Sequence, residues 1–290
     1  MIEIKKSILK DLFPLREKGK YRRKYDFGLV LVIGGGEFYT GSPALSAMAA
    51  FQAGCDMTIV FSPKRAADIV ASFSPDLAAF PLEGDHLEEK HLPTLLAQTE
   101  AAKAVSRGNV AVVIGGGAGR SEETQKTIFD YLSQIDIPAV IDASAIHAIG
   151  ERPEMIKGKP FLITPHTFEF FVLTKREIYQ LSYEEKVKAV QEEAARLETT
   201  IFLKEKPDII SDGKEVALNR SGSPYMSVGG TGDVLAGVCG ALLSRGISPF
   251  LAAQAAAYIN GRAGEKAAEK FKEGLLATSV ISEIASVLHE

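Results

Sequence analysis

The amino-acid sequence predicts an α/β fold with three layers, in which helices cover both faces of a mainly parallel central sheet. Short apolar runs rich in β-branched residues alternate with longer segments of helical period, from about residue 29 to the end of the 290-residue chain. Most of the runs are continuously apolar, as expected of strands covered on both faces. No Pro/Gly/Ser-rich linker or internal repeat interrupts the alternation, so we expect residues 1–290 to form a single domain.

The apolar runs and the periodic segments define the predicted elements in order along the chain. The candidate strands are residues 29–33, 57–61, 77–80, 110–114, 139–141, 161–163, 201–203, 208–211 and 215–218. The candidate helices are residues 42–53, 88–104, 121–134, 183–197, 233–244, 249–271 and 278–288. Ser121 precedes two acidic residues, and Ser182 stands three residues before Glu185, the spacing of a capping box. Both patterns are typical of helix starts.

Composition and charge exclude several classes of protein. Lys and Arg number 33 against 37 Asp and Glu, a net charge of -4, so we expect no nucleic-acid partner. The apolar stretches are shorter than the ~20 residues that a membrane span needs, which excludes a membrane protein. The first 20 residues carry dispersed charges rather than an export signal. Cys55 and Cys239, far apart in apolar surroundings, are typical of buried thiols, so we expect a cytoplasmic location.

Glycine-rich turns follow two of the predicted strands, at residues 34–36 and 115–119. Neither has the spacing of a dinucleotide-binding Rossmann turn, and the first lacks the Lys and Ser/Thr of a P-loop. In open parallel sheets, ligands bind beyond the carboxyl ends of the strands. Glycines alone are also common in plain tight turns. Because two such turns follow predicted strands, we expect both to open onto one crevice.

A third glycine-rich turn, residues 229–232, precedes the helix predicted from Asp233. The free N–H groups and the positive dipole end of a helix N-terminus bind anions, so Gly230, Thr231 and Gly232 are candidates for an anion hole. An acidic residue in a first turn is often only a capping residue. Beside a bound phosphate, however, a carboxylate is suited to take a proton from an attacking hydroxyl. We therefore interpret Asp233 as a catalytic base.

This third turn also carries a resemblance to a known family. Residues 229–237, Asn219-x-Ser-Gly-x-Pro before them and Asn260-Gly261-x-Ala-Gly264 after them resemble the ribokinase-like superfamily. More narrowly, the chain is similar to the ADP/ATP-dependent NAD(P)H-hydrate dehydratases. That match runs through residues 34–44, 142–145, 164–169, 204 and 274–278. The resemblance covers nearly the whole chain and implies a three-layer α/β/α ribokinase-like fold with a mainly parallel central sheet.

The resemblance implies an enzyme that repairs NADH hydrate and NADPH hydrate, a hydro-lyase that uses ATP or ADP with Mg²⁺. Hydroxide is a poor leaving group, so phosphorylating the ring hydroxyl replaces it with phosphate. The lone pair of the ring nitrogen then expels the phosphate as the double bond re-forms. Such an enzyme needs a base, an anion hole and a cleft of dinucleotide size.

Site residues follow from the resemblance, position by position. The hydrate-binding positions are Ala44, Gly115, Gly117, Gly119, His166 and Asp233. The nucleotide-binding positions are Lys204, Glu205, Lys206, Pro207, Asp208, Asn219 and Gly232. No dedicated metal site is visible, and Mg²⁺ is expected to be held mainly by nucleotide phosphates. The chain departs from the family pattern at Glu205, usually Gly, at Thr167-Phe168, usually Pro-Gly, at Gly116, commonly Pro, and at Ser144, usually Asp.

Two other functions stay open at this point. One is a small-molecule kinase of the same superfamily that acts on a thiazole, pyrimidine or sugar hydroxyl, and the other is a non-catalytic nucleotide sensor. The first glycine turn favours the dehydratase, and Asp233 argues against a sensor, which needs no base. The sequence does not distinguish ATP from ADP or NADH hydrate from NADPH hydrate. We expect no attached epimerase domain, because the first predicted strand begins early, and a homo-oligomer, because Ala-rich helices offer surfaces for assembly.

Overall fold

The structure is a computed structural model that describes residues 1–10, 12–13, 23–288 and 290. Within these residues, ten strands form one sheet in the order β1-β10-β9-β8-β7-β6-β5-β2-β3-β4. The strands are β1 (Ile2–Glu3), β2 (Leu29–Ile33), β3 (Met57–Pro63), β4 (Ala78–Leu82), β5 (Val110–Ile114), β6 (Ala139–Ile141), β7 (Phe161–Ile163), β8 (Thr200–Leu203), β9 (Asp208–Ser211) and β10 (Val216–Asn219). The pairs of β9 with β8 and β10 are antiparallel and the other pairs parallel, which confirms the mainly parallel sheet.

Helices cover both faces of the sheet. They are α1 (Ser42–Gln52), α2 (Lys64–Phe73), α3 (Leu92–Val105), α4 (Glu122–Gln134), α5 (Ser144–Ile149), α6 (Thr167–Thr174), α7 (Tyr183–Leu197), α8 (Thr231–Ser244), α9 (Pro249–Phe271) and α10 (Ala277–Leu288). Val30 and Val32 of β2 face a core shared with α1, α2, α8, α9 and α10. Leu31 and Ile33 face a second core shared with α3 to α7. The three-layer α/β/α architecture is therefore confirmed.

Among the described residues, the structure adds one strand and three α-helices to the predicted set, namely β1, α2, α5 and α6. β1 has two residues, and α5 and α6 have six and eight, too short to show a helical period. The buried positions of α2 include two alanines, which give only a weak apolar signal. The predicted helix 88–104 begins instead with the 3-10 turn Glu89–His91, and the α-helix that follows has proline in its first turn.

Two glycines determine how closely α8 packs against its neighbours. A Cβ on Gly237 would lie 2.1 Å from the carbonyl oxygen of Ser46 in α1, and a Cβ on Gly240 would lie 2.4 Å from Cγ2 of Val113 in β5. Both separations are shorter than any real Cβ contact, so only glycine permits them. The helix therefore packs closely against both α1 and the sheet, with its N-terminus at the carboxyl edge of the strands.

The strand order reverses between β2 and β5, because β3 and β4 lie on one side of β2 and the later strands on the other. Ligand sites of open α/β sheets form at such a switch point. The first two glycine turns leave the sheet here, and the N–H of Gly35 donates a hydrogen bond to the carbonyl oxygen of Gly116 at 2.8 Å. The expectation that the two turns meet at one crevice is confirmed.

Three further expectations concern surfaces and thiols. No helix in the described part of the chain combines the length and apolar character needed to cross a membrane. Cys55 and Cys239 are buried free cysteines, and burial raises the pKa of the Cys55 thiol to about 12. The alanine faces of α8 and α9 are buried within the chain, so the expected homo-oligomer stays a prediction that requires a different surface.

Candidate functional site

The Asp233 carboxylate lies where the three glycine turns meet. Its Oδ1 accepts a hydrogen bond from the hydroxyl of Ser42, the first residue of α1. The hydroxyl of Ser46, one turn further along α1, donates to the backbone carbonyl oxygen of Asp233 at 3.0 Å. A Cβ on Gly116 would lie 2.5 Å from Asp233 Oδ1 and 2.6 Å from Ser42 Oγ. The absence of a side chain at Gly116 therefore leaves room for this carboxylate.

The turn before α8 exposes backbone N–H groups at the helix N-terminus. Gly230, the residue before the helix, has a φ of 95°, a left-handed conformation that favours glycine. The hydroxyl of Thr231 donates to the carbonyl oxygens of Met226 at 2.9 Å and Val228 at 3.1 Å, and these bonds hold the turn. The first N–H groups of a helix have no partner within it. The turn thus has the arrangement that binds anions at helix N-termini.

Burial dominates the electrostatics of Asp233. Removal from water raises the pKa of its carboxyl to about 7, and the negative charge of Asp142 adds to this rise. The hydrogen bond from Ser42 and the positive charge of Lys204 act in the opposite direction. A carboxyl group with this pKa exchanges protons near neutral pH, as a general base requires.

Lys204, just after β8, places a cation in front of the same helix N-terminus. Its Nζ lies 2.9 Å from Oδ1 of Asp142 and 3.7 Å from Oε2 of Glu169, both buried carboxylates. Burial alone would lower the pKa of Lys204, but these two carboxylates raise it above its usual value, so the side chain is charged. A Cβ on Gly232 would lie 3.8 Å from Nζ. The ammonium group therefore faces the anion site of α8.

His166 forms the N-terminal cap of α6 at the end of β7. Its Nδ1 accepts hydrogen bonds from the N–H groups of Phe168 at 3.2 Å and Glu169 at 3.3 Å, and the Glu169 carboxylate accepts from the His166 N–H at 3.0 Å. Its backbone forms a bridge with Lys204, and half of its side chain is exposed. The reciprocal cap is thus present although Thr167-Phe168 replaces the usual Pro-Gly.

Lys204 also lines a cavity of about 510 Å³. Of the nucleotide-binding residues predicted from the sequence, it is lined by Lys204, Glu205, Lys206, Asp208 and Gly232. Pro207 and Asn219 are not among its lining residues. The Asn219 amide is buried and donates to Oδ2 of Asp208 at 2.8 Å, so it positions a lining residue rather than facing the cavity.

The structure explains how the chain accommodates Glu205. The Nζ of Lys186 in α7 lies 2.8 Å from Oε2 of Glu205, and the Glu205 N–H donates to Oδ1 of Asp208 at 3.3 Å. The ammonium group of Lys186 therefore compensates the negative charge that Glu205 adds at the cavity. Burial raises the pKa of the Asp208 carboxyl to about 6.

Three residues without a role in the sequence prediction lie at the site. Asn260 and Gly261 of α9 line the 510 Å³ cavity. A Cβ on Gly261 would lie 2.2 Å from Ser221 Oγ, so glycine allows the loop after β10 to lie against α9. Asn260 and Gly261 belong to the Asn260-Gly261-x-Ala-Gly264 motif that carries part of the superfamily resemblance, so the sequence did mark them. Ser42 lies within the matched residues 34–44, but its contact with Asp233 had no local signal, because the two residues are 191 positions apart.

Two of the predicted hydrate-binding residues line the crevice between the first two glycine turns. Gly117 and Gly119 line a cavity of about 290 Å³ together with Tyr39 and Arg120. Gly115 has a φ of 119°, and a Cβ there would lie 2.0 Å from the carbonyl oxygen of Asp142, so glycine is required by the turn itself.

Ala44 differs from the other predicted hydrate-binding residues because its side chain lies in the apolar core. Only 1% of its surface is exposed. The residue stands in the first turn of α1, where backbone N–H groups have no partner within the helix. Any contact between Ala44 and a ligand would therefore be made by its backbone N–H.

Comparison with known proteins identifies the family. The family model described as NAD(P)H-hydrate dehydratase matches residues 30–286. The bifunctional NAD(P)H-hydrate repair enzyme of Pyrobaculum aerophilum is 40% identical over 268 residues, which cover 92% of this chain and 51% of that protein. The ADP-dependent (S)-NAD(P)H-hydrate dehydratase of Cenarchaeum symbiosum is 36% identical over 92% of this chain and 90% of its own. The chain spans about half the length of the bifunctional relatives it matches.

Solved structures show the same fold. A hypothetical protein from Streptococcus mutans has a TM-score of 0.82 at 24% identity, with 99% of this chain and 98% of that chain covered. The ADP/ATP-dependent NAD(P)H-hydrate dehydratase of Bacillus subtilis, co-crystallized with ATP and Mg²⁺, has a TM-score of 0.76 at 21% identity, with 98% and 96% covered. With the family model matching residues 30–286 and this fold around Asp233, the chain belongs to the NAD(P)H-hydrate dehydratase family.

Proposed function

We propose that the protein repairs NADH hydrate and NADPH hydrate by a dehydration that consumes ATP or ADP. One observation carries this proposal: the Asp233 carboxylate stands in a helix turn that lines one cavity through Thr231 and Gly232, and it lies against Gly116, whose neighbour Gly117 lines another. The cavity beside Lys204 and Asn260 would hold the phosphoryl donor, and the crevice of the first two glycine turns would hold the hydrated ring. The substrate hydroxyl and the phosphoryl group would then meet beside one buried base.

Each step of this reaction has a candidate group. Asp233 accepts the proton of the ring hydroxyl as its oxygen attacks the terminal phosphorus, and the nucleotide leaves with one phosphate fewer. The N–H groups of Thr231 and Gly232 and the Lys204 ammonium stabilise the charge on the transferred phosphoryl group. The C–O bond then breaks as the ring nitrogen lone pair expels phosphate. A proton leaves the neighbouring ring carbon, and the carbon–carbon double bond re-forms.

Mg²⁺ would reach the site with the nucleotide. In the described part of the chain, no three His, Cys, Asp or Glu side chains are grouped as a metal site. Asp142 and Glu169, the carboxylates beside Lys204, are both paired with its ammonium group. In enzymes of phosphoryl transfer, Mg²⁺ usually keeps several waters and binds substrate phosphates with few protein ligands. A site with the two carboxylates of Asp142 and Glu169, and no larger group of metal ligands in the described residues, fits an ion held in this way. Bound there, it would neutralise phosphate charge.

The experiment that tests this function combines the protein with NADH hydrate or NADPH hydrate, Mg²⁺ and either ATP or ADP. We expect the absorbance of the dihydronicotinamide ring to return only with nucleotide present, in step with release of phosphate. The four combinations also establish the preferred nucleotide and hydrate. A stable phosphorylated product from a panel of thiazoles, pyrimidines and sugars, with no activity on either hydrate, would establish the small-molecule kinase instead.

Ser42 provides a test of the base through its pH dependence. Its hydroxyl lowers the pKa of Asp233, so Ser42→Ala should raise that pKa further above the usual Asp value. A base acts when deprotonated, so the acidic limb of kcat/KM should move to higher pH. A displacement on the order of one pH unit would lower kcat/KM about tenfold on that limb. The measurement is the pH profile of kcat/KM at saturating nucleotide.

Ser46→Ala is the matched control, because the Ser46 hydroxyl binds the backbone carbonyl oxygen of Asp233 and not its carboxylate. We expect this variant to keep the acidic limb of the parent. A Ser42→Ala profile that coincides with the parent profile would show that the serine hydroxyl does not tune the base.

A further inference from the structure

An exposed aromatic face adjoins His166, outside the groups used in the proposed reaction. Phe168 and Phe171 of α6 and Tyr179 beyond it are 56%, 41% and 77% exposed, and they line a cavity of about 490 Å³ with Thr167, Glu177 and Ile178. The ring centroid of Phe168 lies 6.4 Å from those of His166 and Phe171. This aromatic face, Phe168–Phe171–Tyr179, therefore lies beside His166. Clustered exposed apolar side chains of this kind mark binding surfaces.

Positive charge lies beside the aromatic face. The ring of His147 is centred 6.2 Å from that of Phe168. Burial lowers the pKa of His147, and the charges of Arg120, His166 and Lys175 lower it further. Arg120 and Lys175 thus lie close enough to His147 to act on it. Arg120 also lines the 290 Å³ cavity between the first two glycine turns, so it joins that crevice to the aromatic face.

Two acidic residues near the aromatic face, Glu177 and Glu151, limit which ligand groups can bind there. Glu177 lines the aromatic cavity itself, so its carboxylate disfavours a phosphate there and can accept a hydrogen bond from an amino group or a hydroxyl. The Nζ of Lys175 also lies 3.4 Å from Oε1 of the exposed Glu151, with which it forms an ion pair. A flat base with an amino group, carried on a ribose, fits the cavity. A diphosphate fits the cations at its margin.

The proposed reaction requires two adenosines to be bound at once, one in the phosphoryl donor and one in the dinucleotide substrate. The 510 Å³ cavity, which contacts α9, would hold the first. The aromatic cavity is formed by α6 and the segment after it, in the opposite helix layer, and the two cavities share no lining residue. The backbone bridge between His166 and Lys204 joins the two places, so both lie against the same catalytic centre.

We propose that the aromatic face binds the adenosine half of the hydrated dinucleotide, with the base stacked on Phe168 and the diphosphate directed toward Arg120 and Lys175. The inference rests on the proposed function and adds the subsite that recognises the part of the substrate that does not react. Phe168 stands where the resembling family usually has glycine, so this stacking surface is a feature of this chain. Base stacking on an aromatic side chain is tolerant of base identity and accounts for tenfold or larger changes in affinity.

The kinetic test compares Phe168→Ala with the control Phe73→Ala, which removes a similarly exposed aromatic ring at the end of α2. We expect Phe168→Ala to raise KM for NADH hydrate about tenfold, with KM for the nucleotide and kcat unchanged. On the hydrate of reduced nicotinamide mononucleotide, which lacks the adenosine half, parent and variant should have the same kcat/KM. An unchanged KM for the dinucleotide, or an equal loss on the mononucleotide, would overturn the inference.

A binding experiment separates this inference from the proposed function. ADP-ribose is titrated calorimetrically into the protein saturated with Mg²⁺ and a non-hydrolysable ATP analogue, which fills the donor site. We expect Phe168→Ala and Tyr179→Ala to bind ADP-ribose about tenfold more weakly than the parent. Equal binding would refute the subsite even in an active dehydratase. Binding that depends on both aromatic residues in a protein inactive on the hydrates would uphold the subsite and remove the proposed function.

Light scattering tests whether a second copy of the chain, rather than the substrate, binds the aromatic face. We expect the parent and both variants to have the same molecular mass in solution. A lower mass for Phe168→Ala, with KM for the dinucleotide unchanged, would assign the aromatic face to a subunit contact and overturn the inference.

Discussion

Asp233→Asn is expected to lower turnover by roughly 10²- to 10⁴-fold while the protein still binds nucleotide. Asparagine keeps the size of the side chain and can still accept the hydrogen bond from Ser42, but it cannot take a proton from the substrate hydroxyl. Nucleotide affinity should stay the same or rise, because one negative charge beside the phosphates is lost. Single-turnover kinetics and calorimetric nucleotide binding on the same sample measure both effects.

The same substitution should change how stability depends on pH. Burial raises the pKa of Asp233 to about 7 from 3.8, so between these values the folded protein holds a proton that the unfolded chain has lost. The free energy of unfolding contributed by this group therefore falls as pH rises from about 4 to 7. An asparagine side chain does not ionise, so Asp233→Asn should melt at a higher temperature than the parent at pH 8, with a smaller difference near pH 4.

Turnover of Asp233→Asn within a few-fold of the parent, at unchanged nucleotide binding, would leave Asp233 as a capping acid. The base would then be sought among the neighbouring carboxylates. Glu169 and Asp142 are the next candidates, and both are buried beside Lys204.

Gly232→Val is expected to abolish measurable turnover, a loss of at least about 10²-fold, without unfolding the protein. The atom nearest to a Cβ on Gly232 is Nζ of Lys204, at 3.8 Å, an ordinary contact. The two methyl groups that valine carries on this Cβ would occupy the space between the turn and Lys204, where the phosphoryl group should bind. The measurements are kcat, far-UV circular dichroism and thermal melting.

Gly229→Val is the matched control for this turn, because a Cβ on Gly229 has no atom within 4 Å and the residue is exposed. We expect it to retain turnover and the parent melting temperature within a few degrees. Loss of cooperative melting in Gly232→Val would support a purely structural turn. Full activity in Gly232→Val would exclude the phosphoryl group from this space.

Most of the fold was predictable because its signals are local. The bounds of β2, β5, β6, β7 and β9 agree with the sequence prediction. The first four are short apolar runs, and β9 ends at the Asp212-Gly213 turn. The helices α7 and α9 also have the predicted bounds, and the predicted caps Ser121 and Ser182 accept the expected backbone hydrogen bonds. Short elements such as α5 were missed because six residues do not define a period.

The candidate site was only partly predictable. The helix N-terminus at Asp233 and the cation Lys204 followed from motif and resemblance, because glycine turns and first-turn acids are adjacent in sequence. The hydrogen bond from Ser42 to Asp233 and the ion pair of Lys204 with Asp142 join residues 191 and 62 positions apart. No local pattern predicts such contacts, because they exist only after the strands have assembled.

By itself the sequence determined the three-layer α/β/α fold, the glycine turns beyond the strand ends and the acidic residue in the first turn of α8. Each depends on the period of apolar residues or on the conformations that one residue type allows. Only the tertiary structure decided that Ser42 contacts the base, that Asn219 supports Asp208 rather than facing the cavity, and that Phe168 and Tyr179 line an exposed face beside His166. The physical reason is that burial and strand order bring distant residues together, and these set both the pKa of Asp233 and the shape of its surroundings.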